Sequence, residues 1–121
     1  MQYCAHAIFH YSYEGQDSFL VHENVFLVSA NDEAEAMVVV EALAVEYEQV
    51  GDDSQLEVDG VAAEYRFAGI RKLISVASDA EVGVGLVGTG VEVTYSVFEV
   101  GSLADIERLV AGESVSVLYR E

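Results

Sequence analysis

Between Tyr3 and Tyr13 the chain alternates with a strict period of two. The odd positions Tyr3, Ala5, Ala7, Phe9, Tyr11 and Tyr13 are apolar or aromatic, while the even ones include Cys4, His6, His10 and Ser12. On a helix those odd side chains would scatter around the axis; on a strand they line one face. A turn cluster, Glu14-Gly15-Gln16-Asp17, separates this strand from a second apolar run, Phe19 to Ser29. Phe19, Val21, Val25 and Leu27 form the odd face of that run. Pairing odd with odd keeps the apolar sets together, because a slip of one residue turns every side chain over. With Glu14 to Ser18 as the loop, that register sets His10 directly opposite His22.

The next segment changes period. Ser29-Ala30-Asn31-Asp32-Glu33 reads as a helix start, with Asn or Ser as the cap and acids in the first turn. Ala36, Val40, Leu43, Tyr47 and Val50 recur at helical spacing, so the helix is expected to run to about Gln49 and stop before Gly51. Asp59-Gly60 between two short apolar runs predicts a tight hairpin. In the strand that follows, Val61, Ala63, Tyr65 and Phe67 share odd parity, whereas Ile70, Ile74 and Val76 are even. Gly69 stands at the change, which predicts a bulge or bend. Val91 to Val100 alternates again. Ser102 caps a short helix ending near Gly112, and Ser114 to Arg120 is a final strand. The order is ββαββ-β-αβ. The fold class is α+β: mostly antiparallel sheet, one main helix packed on a face, and a short C-terminal helix. No repeat or linker interrupts residues 1–121, which read as a single domain.

Composition limits the function. Of the 121 residues, 52% are apolar, enough to fold without a disulfide or metal. Cys4 is the only cysteine, so no intrachain disulfide can form. Neither a signal peptide nor a membrane-spanning apolar run is legible, and the expected location is cytoplasmic. Five basic residues against 22 acidic ones give a net charge of −17. A body this negative repels DNA, RNA and anionic lipid, so no nucleic acid and no membrane is expected as a partner. The acidity is consistent with solubility, with adaptation to high salt, or with steering of a basic protein onto the surface.

Several segments together resemble a family of small bacterial proteins, the domain of unknown function numbered 4288. They are the opening aromatic strand from Tyr3, Glu23-Asn24-Val25-Phe26-Leu27-Val28-Ser29-Ala30 running into Asn31-Asp32-Glu33-Ala34-Glu35-Ala36, then Asp59-Gly60, Tyr65-Arg66-Phe67-Ala68-Gly69-Ile70 and Gly90-Val91-Glu92-Val93-Thr94-Tyr95-Ser96. The likeness covers roughly residues 3–100, and residues 101–121 read as an added helix and strand. The family tends to carry Trp near its start and in its middle strand, and this chain has none. The resemblance implies a shared fold and supplies no activity.

Few constellations point to chemistry. Gly83-Val84-Gly85-Leu86-Val87-Gly88 spells G-x-G-x-x-G, but Thr89-Gly90 and a strand follow where a dinucleotide site needs a helix. Its Val82, Val84, Leu86 and Val87 read instead as a loop or contact patch. His10 and His22, once opposed, would offer two imidazoles to zinc or copper; Cys4 and His6 form a second pair on the same strand face. His6 and His10 are too far apart for one ion to use all four. A Cys4 nucleophile served by His6 lacks an orienting third group. Arg66, Arg71 and Lys72 are expected to pair with Glu57, Glu64 and Glu92 across strands. The helix acids Asp32, Glu33, Glu35, Glu41, Glu46 and Glu48 are candidates for a docking surface if they cluster.

No cofactor and no catalytic residue is read from the sequence. The expected function is a non-catalytic protein-binding module such as an immunity protein or antitoxin, with a basic protein as partner. Alternatives are a self-associating structural protein, forming a homodimer through the last strand or the glycine loop, and a metal-binding protein or enzyme built on the hairpin.

Overall fold

The computed structural model describes residues 1–51, 54–76 and 90–120. Strands β1 (Gln2–Tyr13) and β2 (Phe19–Ser29) form the hairpin, and helix α1 (Glu33–Tyr47) follows. Then come β3 (Leu56–Val58), β4 (Val61–Val76), β5 (Val91–Val100), helix α2 (Leu103–Val110) and β6 (Leu118–Arg120). The strands form one antiparallel sheet in the order β3-β4-β1-β2-β5-β6. The α+β class and the element order match the sequence expectation. The glycine-rich stretch at 83–88 lies outside the described residues.

The hairpin register differs from expectation by one residue. His10 pairs with Val21, and His22 pairs with Phe9. Gln16 tightens the turn: its Oε1 accepts from the Tyr13 amide at 3.0 Å, and its Nε2 donates to the carbonyls of Tyr11 and Ser18, both at 3.2 Å. A single-residue change in register inverts facing, so the odd residues of β1 share a face with the even residues of β2. The apolar content of β2 permits this, since Phe26 and Val28 are as apolar as Val25 and Leu27.

Helix α1 is capped by Asp32, whose carboxylate accepts from the Glu35 amide at 2.8 Å. Glu35 reaches back to accept from the Asn31 amide and side chain, a reciprocal cap set one residue later than the sequence suggested. The helix ends at Tyr47 because Gln49 is drawn into a bridge with Tyr65, exchanging amide–carbonyl bonds of 2.9 and 2.8 Å. Val50 therefore lies beyond the helix. Asp59 and Gly60 both have positive φ, 51° and 81°, as a two-residue type I′ hairpin demands.

Strand β4 changes facing twice. Its pairing with β1 shifts between Ile8 and Phe9 and again between His6 and Ala7. The first bulge lies at Gly69, as the parity change predicted. The second returns Leu73 to the face of Ala5 and leaves Ile74 45% exposed, so Ile74 is not a core residue. A Cβ on Gly69 would come within 2.5 Å of Val110 Cγ1, and φ there is +155°, so both space and backbone select glycine.

The sheet is buried on both sides. On one, Tyr3, Ala5, Ala7, Phe9, Phe26 and Val28 pack against Ala36, Val40 and Ala44 of α1. On the other, Ile8, Val21, Phe98 and Val100 pack against Ile106 and Leu109 of α2. The C-terminal segment is thus the second cover of the sheet rather than an appendage. Ser102 caps α2 by accepting from the Asp105 amide at 3.2 Å. The final strand is short, Leu118–Arg120, rather than beginning at Ser114. Among the described residues, no helix is long and apolar enough to cross a membrane.

Candidate functional site

The inverted register separates the hairpin histidines. His10 faces the α2 side, buried, with its ring edge-on to Phe19 at 5.8 Å and Nδ1 donating to the Tyr11 carbonyl at 3.2 Å. His22 faces the opposite side, against Tyr11 and Tyr65. The expected His10–His22 pair does not form, because the sheet itself lies between the rings. Cys4 and His6 do share a face, but residues two apart on a strand stand about 7 Å apart. His6 bonds Glu23 instead, its Nδ1 meeting Oε2 at 2.7 Å. Among the described residues, no group of three or more His, Cys, Asp or Glu side chains could hold a metal ion.

The helix acids do not make one continuous face. Asp32 is the cap, Glu35 serves Asn31, and half-buried Glu48 accepts from the Phe67 amide at 2.9 Å. Glu33, Glu41 and Glu46 are exposed, but Val38 and Val45 stand among them, 68% and 58% exposed. Exposed Glu107 and half-exposed Asp105 lie on α2, across the sheet from α1. Carboxylates therefore occupy both sides of the molecule.

What the register does assemble is a polar and aromatic cluster on the α1 side, past the end of that helix. Asn24 Nδ2 donates to Tyr65 Oη at 3.5 Å, and Tyr65 Oη lies 3.1 Å from His22 Nδ1. Phe9 stacks on Tyr65 at 5.0 Å with nearly parallel planes, and Tyr11 leans on the same ring at 5.1 Å. Burial lowers the His22 pKa, so the ring is neutral near pH 7 and its Nδ1 can accept the Tyr65 proton. Burial likewise pushes the Tyr65 phenol well above its ordinary range; the Asn24 bond opposes this, and Tyr11, Glu92 and Tyr47 add to it. His22, Asn24, Glu92 and Tyr95 line a shallow recess beside this cluster.

Next to it opens a cleft of about 360 Å³ floored by Tyr11, Tyr13, Leu20, Leu56 and Val58. Glu57 and Glu99 stand in its wall, and its described lining contains no cation. The β1 and β2 residues come from the same inverted face, and Glu99 joins them because it pairs with Leu20. Chemically, this is an aromatic and apolar hollow with the Glu99 carboxylate in its wall.

The basic residues also have assignments. Arg66 pairs with Glu64 at 2.7 Å, its neighbour along the strand rather than across it. Arg108 pairs with Asp105 at 2.5 Å, and Arg120 pairs with Glu99. Arg71 donates to the carbonyls of Leu109 at 2.6 Å and Glu113 at 3.0 Å, tying β4 to the end of α2. Lys72 faces His6 in the ladder. Glu57 and Glu92 are not the arginine partners that strand neighbourhood suggested.

No protein-family model, curated protein or solved structure matches this chain. The cluster and cleft were not legible as a site beforehand. Tyr11 and Tyr13 were visible as strand residues and Tyr65 as part of β4, but what brings them beside Leu20, His22 and Asn24 is the register, a long-range property. The one available signal was the apolar even face of β2.

Proposed function

We propose that this chain is a non-catalytic protein-binding module whose partner is a basic protein, as small acidic immunity proteins and antitoxins are. The observation that carries this reading is the internal use of the arginines. All four are bound within the chain, three by carboxylates and one by backbone carbonyls. Each pair cancels one charge of either sign, so the net charge of −17 is carried by acids left over and the outward field is predominantly negative. Such a field speeds encounter with a cationic surface and repels anionic ones. Because acids lie on both sides of the sheet, those on α1 supply general attraction and do not mark a docking face by themselves. The His22–Tyr65–Asn24 cluster suits a rigid scaffold, since its polar atoms satisfy one another.

A second reading, self-association, draws on exposed Val38 and Val45, which set two apolar side chains among the acids on the outer side of α1. One experiment separates the two: affinity-tagged chain is isolated from its host, and any stoichiometric partner is identified and titrated by calorimetry at low and high KCl. A basic partner whose affinity falls steeply with salt is expected. An acidic partner or salt-insensitive binding refutes the reading, and a homodimer with no second protein favours self-association.

A further inference from the structure

We infer that the cleft between Tyr13 and Glu99 receives a single arginine side chain of the basic partner. This inference rests on the binding-module reading above and assigns it a location.

The lining specifies the occupant. A guanidinium is planar and weakly hydrated, stacks on aromatic faces and pairs with carboxylates. Tyr11 and Tyr13 offer rings, Leu20, Leu56 and Val58 offer a dry floor for the methylene stem, and Glu99, on the same face as its partner Leu20, offers the opposing charge. A volume of about 360 Å³ is small for a peptide segment and ample for one long side chain. The chain already shows the preference at this rim, because Glu99 holds the guanidinium of its own Arg120. Arg120 belongs to β6, whose three exposed residues pair only with Val97, Phe98 and Glu99. It is therefore a weakly held internal competitor for one wall of the cleft.

The probe is N-acetyl-argininamide, with N-acetyl-citrullinamide as its uncharged isostere, titrated into the intact ¹⁵N-labelled chain. Saturable millimolar shifts are expected at Tyr11, Tyr13, Leu20 and Val58, with the citrulline probe weaker by about tenfold. Glu99→Gln and Tyr13→Leu should each weaken the arginine probe several-fold, and Arg120→Ala should strengthen it by freeing Glu99. Both probes binding alike, or shifts that never saturate, overturn the inference. A partner protein whose affinity is unchanged by Glu99→Gln and Tyr13→Leu overturns it too, while leaving the binding-module reading intact. Arginine saturating the cleft in a chain that binds no basic protein does the reverse. Unchanged amide spectra of the variants confirm that each is folded.

Discussion

His10 and His22 lie on opposite sides of one hairpin, yet burial acts on both in the same direction. Desolvation lowers each pKa; at His10 the bond to the Tyr11 carbonyl opposes it and the Arg66 charge adds to it. In the unfolded chain both rings take a proton near the ordinary value of about 6.5. In the folded chain they resist until lower pH, so below about 6.5 the unfolded state binds more protons. Their contribution to stability is complete above that value and is lost as pH falls toward the folded pKa. Thermal unfolding should therefore shift to lower temperature between about pH 7.5 and about pH 5.5, above the range where most carboxylates titrate. In a His10→Gln, His22→Gln double variant that slope should flatten. Equal slopes in the two proteins would show that neither imidazole is held neutral.

At the scale of elements, α2 decides whether the sheet has one covered side or two. Ile106 is 2% exposed against Ile8, Val21 and Phe98, so Ile106→Ala opens a cavity in a closed layer. The expected loss is about 2–5 kcal/mol by urea denaturation. Leu118→Ala, at a residue 60% exposed, should cost less than about 0.5 kcal/mol. An unchanged midpoint for Ile106→Ala would return residues 101–121 to the status of an appendage. The elements themselves were legible because each carries a local signal: alternation in β1, a cap and helical spacing in α1, Asp59-Gly60 in the hairpin, a parity change at Gly69. Register was not. Leu20, Phe26 and Val28 on one side of β2 balance Phe19, Val21, Val25 and Leu27 on the other, so hydrophobicity cannot choose between facings. The turn that Gln16 braces holds the observed register. The cleft and the His22–Tyr65 contact inherit it, which is why neither could be read from any single segment.

For the whole molecule, a charge of −17 on 121 residues is a standing internal repulsion. Salt shortens its reach from about 30 Å at 0.01 M to about 3 Å at 1 M. Raising KCl across that range should raise the melting temperature by several degrees, measured by circular dichroism; a flat or falling response would mean the carboxylates are too dispersed to repel. The shared position of β1 has a separate consequence during synthesis. The helix that seals Ile8 is made roughly ninety residues after β1. At about 5–20 residues per second, a ribosome leaves that side of the nascent sheet bare for several seconds. Through that interval Ile8 and Val21 form a greasy surface that chaperones can grasp, and only the arrival of α2 closes it.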